Sequence, residues 1–106
     1  MNQMLLLNLT YVPGKDFEVI GIVRGNIVRS ESVRKSVFAT MSNLIKGELH
    51  GHTEALREAR QTATNRMVAE AALMGADAVI NVKYDAAGIA DGTVEVLAYG
   101  TAVKYR

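Results

Sequence analysis

The chain of 106 residues is 49% hydrophobic and 22% charged, which is typical of one globular domain spanning residues 1–106 and argues against a disordered chain. Its 12 basic and 11 acidic residues leave a formal charge of +1, so neither nucleic acid nor an anionic membrane is expected as a partner. The chain has no cysteine, which excludes disulfides, thiolate chemistry and cysteine metal sites.

The first residues contain a run of leucine but no basic start, and this run is too short for a signal peptide. No stretch of the chain approaches the roughly 20 apolar residues that a membrane-spanning helix needs. The sequence therefore predicts a cytoplasmic protein.

Two strands are predicted in the first part of the chain. Residues 4–12 favour a short strand that ends at the turn signal Pro13-Gly14. Residues 18–29 favour a second strand, because they are rich in β-branched side chains. Gly21 and Gly25 interrupt this second strand, which indicates bulges or the close approach of another backbone.

Two helices are predicted after the second strand. The short one begins at a serine cap and ends at Gly47, since apolar residues recur at helical spacing at Val33, Val37, Met41, Leu44 and Ile45. The long one follows a loop at residues 48–52, with Thr53 as its cap, and ends at Gly75. Its apolar face is mostly made of small side chains, which lets a helix lie close to a sheet: Leu56, Ala59, Ala63, Met67, Ala71 and Met74.

Residues 77–85 and 93–105 predict an antiparallel hairpin, joined by a loop at residues 86–92. One face of the last strand is small and apolar and suits the long helix: Val94, Val96, Ala98, Gly100 and Ala102. A side chain at Gly100 is expected to push the helix off the sheet, because overpacking costs about 1–3 kcal/mol. The expected fold is α+β, with one long helix packed on an antiparallel sheet.

Both faces of the predicted strands are apolar, although a solvated antiparallel face is normally polar. Strict alternation in the second strand places Val19 and Val23 on one face and Ile20 and Ile22 on the other. The face of the last strand that points away from the helix is also mostly apolar or aromatic: Leu97, Tyr99, Val103 and Tyr105. A large exposed apolar face favours self-association. The alternative is that the N-terminal strand and the short helix fold over this face.

Several segments resemble the YbjQ-like family of small bacterial and archaeal proteins: GEL at 47–49, LREAR at 56–60, LMGADAVINV at 73–82 and YGTAV at 99–103. The resemblance runs from about Phe17 to the C-terminus, whereas the first dozen residues match poorly, and His52 stands where such proteins often place a tyrosine. It implies a β-α-β-β core with a three-stranded antiparallel sheet, and a ring-like homopentamer assembled partly through extra short strands. Members have no established function or catalytic residues and are sometimes named for heavy-metal binding.

His50 and His52 are the only histidines, and both fall in the predicted loop before the long helix. Two imidazoles one residue apart can both reach a metal, and Glu48 or Glu54 could add an oxygen ligand. A site needs three or four ligands, so a polar loop without metal is the alternative, and a ring could gather loops from several copies. No resident metal or cofactor is expected.

Other charged residues have simpler interpretations than catalysis. Glu54 and Glu58, four residues apart, are expected to pair with Arg57 and neighbouring arginines rather than to act as acid and base. Asp77 is expected to fix the turn before the third strand. A modest basic cluster could bind an anion or be a solvated surface: Arg24, Arg29, Arg34 and Lys35.

The sequence thus predicts a non-enzymatic homo-oligomer with a binding or assembly role and an unknown ligand, which could be a small molecule. Binding of a divalent or heavy metal by the loop around His50 and His52 is the second hypothesis.

Overall fold

The computed structural model describes residues 4–29, 50–90 and 93–106. In chain order its elements are β1 (Leu5–Leu6), β2 (Phe17–Arg29), α1 (His50–Leu73), β3 (Ala78–Ala90) and β4 (Thr93–Tyr105). The strands form one mixed sheet in the order β1-β3-β4-β2, in which β4 is antiparallel to both neighbours and β1 is parallel to β3.

The α+β prediction is confirmed. β2, α1, β3 and β4 form the expected β-α-β-β core, and their three strands are antiparallel. The short β1 adds a fourth strand and makes the sheet mixed. The short helix predicted before residue 47 lies outside the described residues.

The N-terminal strand is much shorter than the predicted residues 4–12, because a bulge interrupts the edge of β3 that it follows. Asn81 has a φ of 53°, and the register of β3 against β4 shifts around it. The chain after β1 still follows β3, where the Asn81 N–H donates to Leu9 O at 2.7 Å. Residues 5–9 therefore lie along β3, although only two of them form a ladder with it.

The predicted loop at residues 86–92 is wrong, since β3 continues to Ala90 and pairs there with Thr93 of β4. Alanine and glycine have low strand propensity, which made this stretch look like a loop. Pairing with β4 from Val94 to Leu97 overrides that preference along this stretch. Only residues 91 and 92 separate the two strands, so the connection is much shorter than the predicted loop.

The helix α1 ends as the sequence predicts. Gly75 has a φ of 78°, and its N–H donates to Ala72 O at 3.0 Å. The Ala76 N–H donates to Ala71 O, also at 3.0 Å. These two bonds form a Schellman cap, which needs the left-handed backbone that glycine adopts without strain.

The small apolar face of α1 forms the main core. Ala59, Ala63, Met67 and Ala71 are fully buried, whereas Met74, predicted on the same face, is exposed. They pack against sheet residues that are also buried: Val23, Val79, Val96, Ala98 and Ala102. The predicted helix face and the predicted face of β4 are therefore the ones that meet.

The prediction of which β2 side chains share a face is wrong, because a bulge separates Val19 and Ile20 from the rest of the strand. The register against β4 shifts between Val19 and Gly21, which inserts one residue and reverses the alternation. As a result Ile20 packs with Val23 against the helix, and Val19 shares the opposite face with Ile22. Gly21 marks this bulge, which is one of the two roles that the sequence left open for it.

Gly25 is the point of closest approach between helix and sheet. A Cβ atom there would overlap the backbone of α1 at Ala63 O and Met67 N. Gly100 is also buried, but a Cβ atom there would meet Val79 Cγ1 at 2.7 Å and Ile80 O at 2.9 Å. Both of these atoms belong to β3, so the expectation that a side chain at Gly100 would push against the helix is wrong.

A second, smaller core lies on the opposite side of the sheet. Val12 from the N-terminal segment packs there on Ala78, Ile80 and Val103. Leu7, Phe17 and Tyr105 surround this cluster and are partly buried. The N-terminal segment thus covers one end of the sheet face that α1 leaves open, as one part of the alternative interpretation expected.

Replacing Gly25 with alanine should destabilise the fold, because the new Cβ would overlap backbone atoms that can move only with the whole helix. Overpacking of this kind costs about 1–3 kcal/mol. We expect a clearly lower midpoint in thermal unfolding followed by circular dichroism at equal protein concentration.

Gly88→Ala is the matched control, since a Cβ there comes no closer than 3.9 Å to Thr93 O. Its midpoint should stay near that of the unmodified protein. A Gly25→Ala variant that melts like the unmodified chain would mean that Gly25 does not set the distance between helix and sheet.

Candidate functional site

The two histidines do not lie in a loop. α1 begins at His50, so His50 and His52 both belong to its first turn, and the predicted start at Thr53 is wrong. Gly51 suggested a loop, but one glycine costs a helix only about 1 kcal/mol and does not prevent it from starting earlier. The side chains of residues 50–53 lie outside the described part of the structure.

The helical backbone at His50 and His52 makes it harder for both side chains to bind one metal ion. Positions two apart in an α-helix do not share a face. Among the residues that the structure describes, no group of three or more His, Cys, Asp or Glu side chains is placed to hold a metal ion. A metal site would therefore need ligands from beyond this part of the chain or from another copy.

The two carboxylates considered for acid–base chemistry form ion pairs. Glu54 Oε1 lies 3.2 Å from Arg57 Nη1, and Glu58 Oε2 lies 3.4 Å from Arg29 Nη2. Both carboxylates are well exposed, whereas acid–base catalysis by carboxylates typically uses buried groups. The expected pairing is confirmed for Glu54 and Arg57, whereas Glu58 pairs with Arg29 of β2 and not with a neighbouring arginine of the helix.

Asp77 acts in the turn, as expected. Its Oδ2 accepts a hydrogen bond from the Tyr105 N–H at 2.7 Å, and its own N–H donates to Val103 O at 2.9 Å. These bonds tie the entry of β3 to the end of β4. The residue is therefore part of the scaffold.

The predicted basic cluster is divided between the two sides of the sheet. Arg29 lies on the helix side, where it meets Glu58. Arg24 lines a groove on the opposite side. Arg34 and Lys35 lie outside the described residues, so the part of the cluster that can be placed does not form a single patch.

The sheet face opposite α1, called here the far face, carries exposed apolar side chains away from the second core. Three aliphatic side chains of β2 are at least half exposed on it: Val19 at 63%, Ile22 at 66% and Val28 at 50%. Beside them lies a shallow groove of about 310 Å³, lined by Ile22, Arg24, Asp85, Leu97 and Tyr99. This groove is the best candidate for a functional surface in the described structure.

Charges of both signs lie along the far face. Tyr99 stands between Arg24 on β2 and Lys83 on β3, which are its partners in register. One row further along, Leu97 stands beside Asp85. Strand residues two apart on one face are separated by about 7 Å. The acidic Asp85 therefore lies close to the basic Lys83 on the same face.

The sequence did not indicate this groove. Arg24 and Asp85 are far apart in the chain, and only the register of β2 and β3 against β4 brings them together. The alternation of Lys83 and Asp85 in β3 was the available signal, because residues two apart share a strand face.

A second depression, of about 230 Å³, lies between α1 and the outer part of β3. Leu56, Arg60 and Val96 line it together with Tyr84. The Tyr84 hydroxyl and the Thr64 Oγ1 atom are 2.8 Å apart and share a hydrogen bond. This bond ties the helix to the exposed end of the hairpin, a role that the sequence did not suggest for Tyr84.

None of the helices in the described part of the chain is long and apolar enough to cross a membrane.

Comparison with known proteins gives a consistent family. A UPF0145 protein of Clostridium novyi is 46% identical over 101 residues, which cover 95% of this chain and 98% of that relative. A UPF0145 protein of Halorubrum lacusprofundi is 46% identical over 104 residues, covering 97% of this chain and all of its own. A UPF0145 protein of Shewanella frigidimarina is 40% identical over 102 residues, covering 95% of both.

The fold is similar to the crystal structure of a protein of unknown function from Pediococcus pentosaceus, with a TM-score of 0.70 over 97% of this chain and 98% of that one. Identity is 14%, so the likeness concerns the fold alone. A family model described as "Putative heavy-metal-binding" matches residues 4–106. The match therefore includes most of the N-terminal residues before Phe17, which the sequence alone left outside the resemblance. With these relatives, it shows that the chain belongs to the YbjQ-like family, the UPF0145 proteins.

Proposed function

We propose that this protein is a non-enzymatic homo-oligomer with a binding or assembly role, in which the far face makes the contact between copies. The observation that carries the proposal is the exposure of Val19, Ile22 and Val28 on one side of β2. The ligand stays unknown, and the cytoplasmic location expected from the sequence stays a prediction.

The far face is unusual for a surface in contact with water. An antiparallel sheet with one solvated face normally alternates apolar and polar residues, whereas β2 places aliphatic side chains toward both sides. Within the described residues, α1 covers one side and the N-terminal segment covers only the end around Val12. Exposed aliphatic side chains on a sheet face of this kind are typical of interaction sites.

The charges of the far face support a specific contact rather than simple hydrophobic association. Arg24 and Asp85 line the same groove and carry opposite charges. Charged groups within an interface fix its register, because a wrong alignment brings like charges together. The family resemblance implies a ring-like homopentamer. A closed ring uses a head-to-tail contact, so the far face of one copy would meet a different surface of the next.

The oligomer is tested by light scattering coupled to size exclusion at micromolar concentration. The protein should elute at several times its chain mass of 11.5 kDa, and a pentamer at about five times that mass. Ile22→Glu should lower the mass, because it places a charge in the proposed contact without touching the core. A monomeric mass for the unmodified protein would contradict the proposal.

Leu73→Glu is the control for this substitution. Among the described residues, Leu73 is the most exposed of the large apolar side chains at 90%, and it lies at the end of α1 and not on the far face. We expect this variant to keep the mass of the unmodified protein. If Leu73→Glu lowers the mass and Ile22→Glu does not, the contact lies elsewhere than on the far face.

Metal binding is the second candidate function, and the description of the family model favours it. His50 and His52 both belong to the first turn of α1, and Glu48 and Glu54 are close to them in the chain. Without cysteine, a site of this kind would use imidazole and carboxylate ligands. Several copies would have to contribute if one chain supplies too few ligands.

Calorimetric titration with zinc distinguishes the two functions. We expect weak or no binding by the unmodified protein, and a His50→Ala, His52→Ala variant that folds and assembles normally. Sub-micromolar binding that is lost in this variant would favour the metal-binding function. Such binding should also weaken as pH falls through about 6.5, the ordinary pKa of histidine, because a protonated imidazole cannot bind the metal.

A further inference from the structure

β2 is an edge strand, since only β4 pairs with it in the described sheet. It is 13 residues long. The outer edge of such a strand carries unpaired N–H and C=O groups, which can pair with a strand from another molecule. Proteins with long edge strands need some feature that prevents this.

Two side chains of α1 bind the middle of this edge. The Arg24 N–H donates to Glu70 Oε1 at 3.3 Å. The Arg66 guanidinium donates from Nη1 to Asn26 O at 2.7 Å. Arg66 and Glu70 are four residues apart, so they project from the same side of the helix. Neither bond stabilises the helix itself, and both satisfy backbone groups that a further strand would use.

The close approach at Gly25 puts these side chains within reach. Gly25 lies between Arg24 and Asn26 in β2, and α1 lies against it at Ala63 and Met67. In an antiparallel strand, the N–H and C=O groups of one residue point to the same side. Arg24 and Asn26 therefore present their backbone groups outward, beside the helix.

We propose that Arg66 and Glu70 close the outer edge of β2 against strand addition by a second copy of this chain. A strand that approaches this edge finds the Arg24 N–H and the Asn26 carbonyl already bonded, and both side chains in its path. This inference does not depend on the proposed function, because it concerns a contact that the protein avoids.

Replacing both residues with alanine should open the edge. Arg66 is exposed and Glu70 only half-buried, so the Arg66→Ala, Glu70→Ala variant removes no core side chain. We expect it to form β-rich assemblies that grow with concentration and time. These should appear as a mass above that of the unmodified protein in light scattering, and as increased thioflavin T fluorescence.

Two controls separate edge closure from a general effect of lost charge. Glu54→Ala, Arg57→Ala removes the same two residue types from an exposed ion pair elsewhere on α1, and should keep the mass of the unmodified protein. Arg66→Lys, Glu70→Gln retains a donor and an acceptor at the edge and should also keep it. A folded alanine double variant with unchanged mass and no dye response would overturn the proposal.

Hydrogen exchange tests the same contact if the alanine double variant does not fold. The Arg24 amide should exchange about tenfold faster in Glu70→Ala than in Glu54→Ala, because only the first loses its acceptor. Equal exchange rates would overturn the proposal, since the edge would then be closed by something other than Glu70.

Discussion

Helix and strand backbones lie against each other where α1 crosses β2, because Gly25 has no side chain and the helix presents Ala63 and Met67 at that point. A glycine inside a strand costs about 0.5–1 kcal/mol relative to alanine. Overpacking of the same contact would cost about 1–3 kcal/mol, so the glycine is the better choice. The same closeness allows Arg66 and Glu70 to reach the β2 edge.

The helix packs on only one side of the sheet, so the other side is partly covered by other residues and partly exposed. At one end of that side, the N-terminal segment packs Val12 over Ile80 and Val103. Further along, the aliphatic side chains of β2 stay exposed beside the groove that contains Arg24 and Asp85. The apolar and charged side chains that are candidates for function in the described structure therefore lie on an open surface and not in a cleft.

Bulges determine which residues reach that surface. The bulge at Gly21 moves Ile22 to the far face and brings Ile20 to the core, so the strand cannot be read by simple alternation. On β3, the irregularity at Asn81 has the same effect and places Lys83 beside Tyr99. A shift by one residue reverses every later side chain, and a small local feature thus controls the composition of a whole face.

Local sequence by itself determined the features whose causes are local. The small stripe of α1 has a period that only a helix satisfies, Gly75 provides the left-handed cap, and the β-branched residues of β2 favour a strand. Glycine at positions 21 and 25 also indicated a bulge or a close approach, although not which glycine did which.

Only the tertiary structure decided the rest, because it depends on pairs of residues that are distant in the chain. Pairing with β4 extends β3 through Ala90 against its low strand propensity. Register across three strands brings Arg24 and Asp85 to one groove and sends Arg29 to the other side with Glu58. Such outcomes follow from the packing of whole elements against each other, whose free energy exceeds the small local preferences of single residues.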